Sequence, residues 1–167
     1  MWKRKPSEIR IEGDVAYVAL TRGFEAIIDV SDVPVVENYG WRVMMLRLGH
    51  AYAARCGDRP GSVVLMHRAI LDAPQGAKVD HRDGDGLNNR RGNIRLATSA
   101  ENNANMVVSR RNKLGIKGVS TEKSGRFSAS IQKDSQKLYI GTFNTAEEAS
   151  AAYFGAARIL WGDFAKN

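Results

Sequence analysis

Asp80 and His81 adjoin at the end of a short extended run, Lys78-Val79, and they set a carboxylate beside an imidazole. Neighbouring side chains on a strand point to opposite faces, but at a strand end both can reach the mouth of a cleft. A helix following Ile94-Arg95-Leu96 would bring the amide oxygen of Asn102 towards the Asp80 carboxylate. Two oxygen ligands, completed by water and a substrate phosphate, are what Mg²⁺ typically accepts. His81, whose ordinary pKa lies near neutrality, is suited to take a proton from an attacking water. Such a centre would hydrolyse a phosphodiester, the metal stabilising the transition state and the leaving oxygen. Asn103 replaces Asn102 as ligand if the helix register slips by one. His67 reads as a partly buried histidine beneath the loop, with direct catalysis the alternative, and His50 as structural. Asp83 and Asp85 alternate with Gly84 and Gly86, which reads as turn chemistry rather than a metal site of their own.

These side chains need elements to position them. Residues 80–93 are polar and rich in Gly and Asn, a stretch expected to stay out of any core. Thr98-Ser99-Ala100-Glu101 is a capping box, so a helix should start at Thr98 and carry Asn102 and Asn105. Upstream, residues 8–71 read as β-rich. Ile9–Leu20 turns at Gly13-Asp14, and extended runs follow at Phe24–Asp29, Trp41–Leu46 and Val63–His67. Ser31-Asp32-Val33-Pro34 reads as the capped start of a short helix with Pro in its first turn, and residues 57–61 as a turn. Downstream, residues 107–114 are a basic connector. Three strands (Gly118–Thr121, Phe127–Lys133, Leu138–Phe143) then turn at Lys123-Ser124-Gly125 and at residues 133–136. A second capping box, Thr145-Ala146-Glu147-Glu148, opens an Ala-rich helix to about Trp161, with Ala149, Ala152, Tyr153, Ala156 and Leu160 at core spacing.

Charge points to a polyanionic partner. The net charge is +7 over 167 residues, and it is unevenly placed. Residues 1–64 carry 9 basic and 8 acidic side chains, whereas 65–112 and 113–167 each carry 8 and 5. A basic surface gains affinity for DNA or RNA by counterion release. Hydrophobic content of 43% fits a globular chain, and no apolar run is long enough for a bilayer. The basic start, residues 1–6, leads into no apolar stretch, so no signal peptide is expected. A lone Cys56 excludes an internal disulfide or a cysteine-built zinc site and suits a reducing cytoplasm.

Val79-Asp80-His81, Asn88-Asn89, Asn93-Ile94-Arg95 and Glu101-Asn102 together resemble the HNH endonucleases, a family with a ββα-metal fold. The match is closest to its phage and intron-type homing members, and Leu65–Leu71 resembles their lead-in. The resemblance implies that Asp80 and Asn102 bind one divalent ion, Mg²⁺ or Mn²⁺. It makes His81 the general base and gives Asn93 the task of orienting that histidine and holding the loop. Asn stands where many members have the histidine that gives the family its last letter; it remains an oxygen donor suited to these ions. Arg82, Arg90, Arg91 and Arg95 are expected on double-stranded DNA.

The C-terminal strands and helix, residues 115–167, resemble the AP2 DNA-binding domain, whose three-stranded sheet enters the major groove. Arg126, Ser128, Ser130 and Gln132 alternate with Phe127, Ala129 and Ile131, so the polar set, with Lys117, Ser120, Lys137 and Tyr139, would face DNA. Plant members carry arginines and a tryptophan on strands where this chain has Ser120, Glu122 and Ser124, so base specificity does not transfer.

The expected fold class is therefore α+β: a domain over 1–106 with its motif at 65–106, a linker at 107–114, and a module over 115–167. The expected function is DNA cleavage, one nick per active site, by a monomer or weak homodimer. A DNA-binding regulator with an inactive site, and a catalyst acting on RNA, are the rivals.

Overall fold

The computed structural model describes residues 5–46, 49–105, 108, 112–133 and 136–165. The basic start before Lys5, residues 107 and 109–111 of the connector, Asp134-Ser135 of the expected turn and the closing Asn167 lie outside the described residues. The chain divides into two units, Met1–Ala97 and Thr98–Asn167. The sequence reading draws its line after residue 106.

In the first unit, β1 (Ile9–Glu12), β2 (Val15–Ala19) and β3 (Glu25–Asp29) form an antiparallel meander. Period-two alternation buries Ala16 and Val18 from β2 and Ala26 and Ile28 from β3. A short helix, α1 (Val33–Val36), has Pro34 in its first turn as expected, but no side chain caps it. The Asp32 carboxylate at its N-cap is committed to Arg91 instead. A second antiparallel sheet runs β4 (Arg42–Met45), β5 (Ala51–Cys56) and β6 (Val63–Leu65). The central strand β5 escaped the sequence reading because alanine, present at 51, 53 and 54, has little strand preference. Expected to extend to His67, β6 stops at Leu65 and gives way to α2 (Met66–Ile70). Met66, His67 and Ile70 are all buried, a spacing that a strand's alternation cannot produce and a helical turn can. Finally β7 (Lys78–His81) and β8 (Ile94–Ala97) pair antiparallel, with Asp80 opposite Arg95 and His81 opposite Ile94. Val18, Ile28, Val36, Trp41, Met66, Ile70 and Ile94 build the core beneath them.

The second unit opens with α3 (Ser99–Asn105), capped as expected: Glu101 N–H donates to Thr98 Oγ1 and Thr98 N–H to Glu101 Oε2. Three antiparallel strands follow in sequence order, β9 (Val119–Thr121), β10 (Phe127–Lys133) and β11 (Gln136–Phe143). The reciprocal bonds of Thr145 and Glu148 start α4 (Ala146–Trp161). Its buried stripe is Ala149, Tyr153 and Ala157, with Ala156 and Leu160 packed against it, so Ala149 and Tyr153 are buried as expected and Ala157 lies deeper than Ala156. Tyr153 is seated on Gly118: a Cβ there would fall 2.1 Å from the Tyr153 ring, so the ring lies directly on the glycine. No helix among the described residues is long and apolar enough to cross a membrane.

Candidate active site

The segment expected to be mere loop is built into the core. Residues 82–93 leave β7 and return at β8, and on the way they dock on β3. Ile27 N–H donates to Leu87 O at 2.9 Å and Asn89 N–H to Ile27 O at 2.7 Å, a one-residue parallel bridge. Asn89 is fully buried and Leu87 packs against the core, contrary to the expectation that this stretch stays out of it. Satisfied polar groups make that possible: Asn89 Nδ2 donates to Leu87 O.

Asn93 ties the loop to itself. Its Nδ2 donates to Asp83 Oδ1 at 2.9 Å and to Asn88 O at 2.7 Å, while its Oδ1 accepts from Asp83 N–H. Asp83 also accepts from Asn88 Nδ2 and Asp85 N–H, and Asp85 accepts from Leu87 N–H. Burial alone would raise the Asp83 carboxyl, but these donors outweigh it and hold the group below the usual carboxylate range. Both aspartates are thus occupied as turn ligands for backbone and amide groups, as the glycine spacing suggested.

Asp80 and His81 end β7 side by side, and both are buried. Arg95, opposite Asp80 across the hairpin, donates Nε and Nη2 to Asp80 Oδ2, each at 2.9 Å. His81 lies in a triangle of rings. His67 from α2 is 4.9 Å away, centroid to centroid, at 82°; Tyr52 from β5 is 5.8 Å from His81 and 5.6 Å from His67. Gly86 closes the triangle from the loop side, because a Cβ there would meet the Tyr52 ring at 2.7 Å and Ala51 O at 2.3 Å. So Gly86 lies in the turn expected of it, closed by Asn88 N–H to Asp85 O, and also allows this close approach.

Burial pushes the His81 imidazole below its ordinary pKa, opposed by Asn89 beside it and by Asp83, Asp80 and Asp85. His67 is pushed down to about 3, chiefly by burial and then by His81 and the Arg68 guanidinium. Both rings are therefore neutral at pH 7, the state a proton acceptor requires. Burial, then the Asp80 charge, raises the Tyr52 hydroxyl.

The arginines expected on DNA are engaged by acids. Arg90 donates Nε to Asp29 at 2.7 Å and Nη2 to Asp14 at 2.6 Å. Arg91 grips Asp32 with Nε and Nη2, gives Nη2 to Ile70 O, and gives its backbone N–H to Asp29. Arg82 is exposed. In the second unit Asn102 is half-buried on α3 and Asn103 exposed. Lys117 Nζ donates to Ala104 O. Ser120, Ser128 and Thr142 pair across β9, β10 and β11, as do Ser130 with Tyr139 and Gln132 with Lys137. These residues share one sheet face, where Tyr139 stands 66% exposed beside exposed Arg126.

No group of three or more His, Cys, Asp and Glu gathers for a metal among the described residues. The Asp80 carboxylate is an oxygen donor of the kind hard ions such as Mg²⁺ and Mn²⁺ accept.

Residues 72–104 match the family model of the HNH endonucleases. An uncharacterized HNH endonuclease, L560, of Acanthamoeba polyphaga mimivirus is 29% identical over 150 residues, 86% of this chain and 74% of that protein. Protein 3.8 of Escherichia phage T7 is 32% identical over 93 residues, 56% of this chain and 77% of that one. The ethylene-responsive transcription factor ERN1 of Medicago truncatula is 35% identical over 85 residues, half of this chain but only 28% of that protein. No solved structure matches the chain.

Proposed function

We propose, from the premise that this chain carries an HNH endonuclease domain and shares a family with phage T7 Protein 3.8, that it is a metal-dependent, homing-type DNA endonuclease that nicks one strand per active site. The observation that supports this most is the buried Asp80-His81 pair, its imidazole neutral and packed between two rings. His81 acts as general base on the attacking water. Asp80 and Asn102 would hold one Mg²⁺ or Mn²⁺, which when bound supplies charge stabilisation to the transition state and the leaving oxygen. Asn93 keeps the loop in shape. Arg90, Arg91 and Arg95 brace the site, and Arg82, exposed at the start of the loop, meets phosphate. The second unit holds DNA with the face of Ser120, Arg126, Ser128, Ser130, Gln132, Lys137 and Tyr139. Its likeness to AP2 domains and the similarity to a plant transcription factor support that part. Two weakly binding units on one chain raise the effective concentration of the active site at its target. Viral relatives fit action in the cytoplasm of a bacterial or phage-infected cell.

Supercoiled plasmid incubated with the protein and Mg²⁺ or Mn²⁺ should be converted to the nicked circle, and EDTA should stop it. His81→Ala and Asp80→Ala should each abolish the conversion. Gel shifts without cleavage under either metal would favour the DNA-binding regulator instead.

A further inference from the structure

His67 lies outside residues 72–104, yet its ring makes the closest ring contact of His81. His67 is buried on α2, and its Nδ1 makes no hydrogen bond among the described residues, so no bond at that atom competes with the packing of its ring against His81.

The imidazole of His81 has its own need. Its second side-chain torsion joins a tetrahedral to a planar carbon, so the preference is broad and roughly two-fold, and rotamer energetics alone leave the ring plane undecided. A general base must present one nitrogen to the water within hydrogen-bond reach. Something must therefore fix the plane. His67 meets it nearly at right angles, at 82°, and Tyr52 at 61°. Tyr52 cannot back away, because Ala51 and its own ring lie against Gly86. Edge-to-face pairing of rings is favourable beyond the area it buries, enough to bias a ring flip.

We propose that His67, seated against Tyr52, is a positioning residue that fixes the ring plane of His81. This rests on the reading of His81 as general base. The device is steric: α2 brings a rigid planar wall to the strand end, and the wall selects the productive orientation of the base.

The test pairs single-turnover plasmid nicking with NMR of the His81 Cε1–H resonance in the full-length protein, assigned by comparison with His81→Gln. His67→Ala should slow nicking at saturating DNA and Mg²⁺ by about tenfold to a hundredfold. Half-saturating DNA concentration should not change. Its His81 resonance should double or broaden where the wild type shows one sharp line. His67→Phe keeps a planar wall and should restore the single line and bring the rate to within a few-fold of wild type. The proposal is overturned if His67→Ala retains both rate and line shape, or if His67→Phe is as slow as His67→Ala. It is also overturned if the His67→Ala rate recovers fully below the melting transition of that variant, since the defect would then be one of folding. Should the wild type cleave under neither metal, the nuclease reading fails, and the NMR arm alone decides the ring-plane claim.

Discussion

Arg91 and Asp32 form a lopsided ion pair, and the asymmetry fixes which partner the protein can least lose. The Asp32 side chain is 2% exposed and that of Arg91 52%. Replacing Arg91 with Met removes the donors at Nε and Nη2 and strands a carboxylate out of water. Breaking a buried pair in this way costs about 3–5 kcal/mol. Asp32→Asn strands no charge: the guanidinium turns to water on its open side and keeps its bond to Ile70 O. Its cost is that of hydrogen bonds to a charged group, about 1.5–3 kcal/mol. Arg91→Met should therefore be the more destabilising by about 1–2 kcal/mol, and the double variant should be more stable than Arg91→Met alone. Urea unfolding followed by Trp41 fluorescence, in a background where Trp2 and Trp161 are Phe, reads the first unit directly. Trp41 is buried in the same core cluster as Ile70, so its emission follows the transition of interest. If Asp32→Asn proves equal to or worse than Arg91→Met, the buried-charge argument is wrong and shape or backbone contacts dominate.

Two further outcomes follow from other features. Because His67 in the fold protonates only near pH 3, the unfolded chain binds a proton below its ordinary value near 6.5 that the folded chain refuses. The stabilisation is complete above that value and declines as pH falls towards 3, reaching a loss of about 2 kcal/mol by pH 5. His81, shifted in the same direction, adds to the loss. Urea melts at pH 7.5 and 5.0 in EDTA should show it, and His67→Phe should shrink it; a flat profile in the wild type would refute it. On the second unit's sheet, Lys137→Ala should lower the slope of log affinity against log salt by about 0.9, the release of one counterion. Tyr139→Ala should weaken binding while leaving that slope unchanged. Fluorescence anisotropy across a salt series separates the two, and identical slopes for Lys137→Ala and wild type would remove that lysine from the DNA face.

What could be read from residues alone was local. The caps at Thr98 and Thr145 were legible because a capping box is complete within four residues. The alternation of β10 was legible because period two survives in any context with one buried face. Asp80-His81 at a strand end was legible because the extended run Lys78-Val79 leads directly into the pair. What escaped depended on distant partners. Nothing near Arg90 and Arg91 announces that Asp14, Asp29 and Asp32 will take them, since those acids lie 59 to 76 positions earlier. The helical turn that buries His67 is hidden behind the β-branched Val63-Val64, and only packing with Met66 and Ile70 reveals it. Asn89 looked like loop polarity because its burial depends on a bridge to β3.

That bridge bears on how such a segment could travel between proteins. The stretch that carries Asp80, His81 and Asn93 takes backbone bonds from Ile27 and side-chain bonds from Asp14, Asp29 and Asp32. Transplanted into another scaffold without these, it would bring its reactive groups but leave two arginines and an amide with nothing to answer them. The transferable cassette, for recombination or for protein engineering, therefore reaches back to the first strand pair and does not begin where the recognisable motif does.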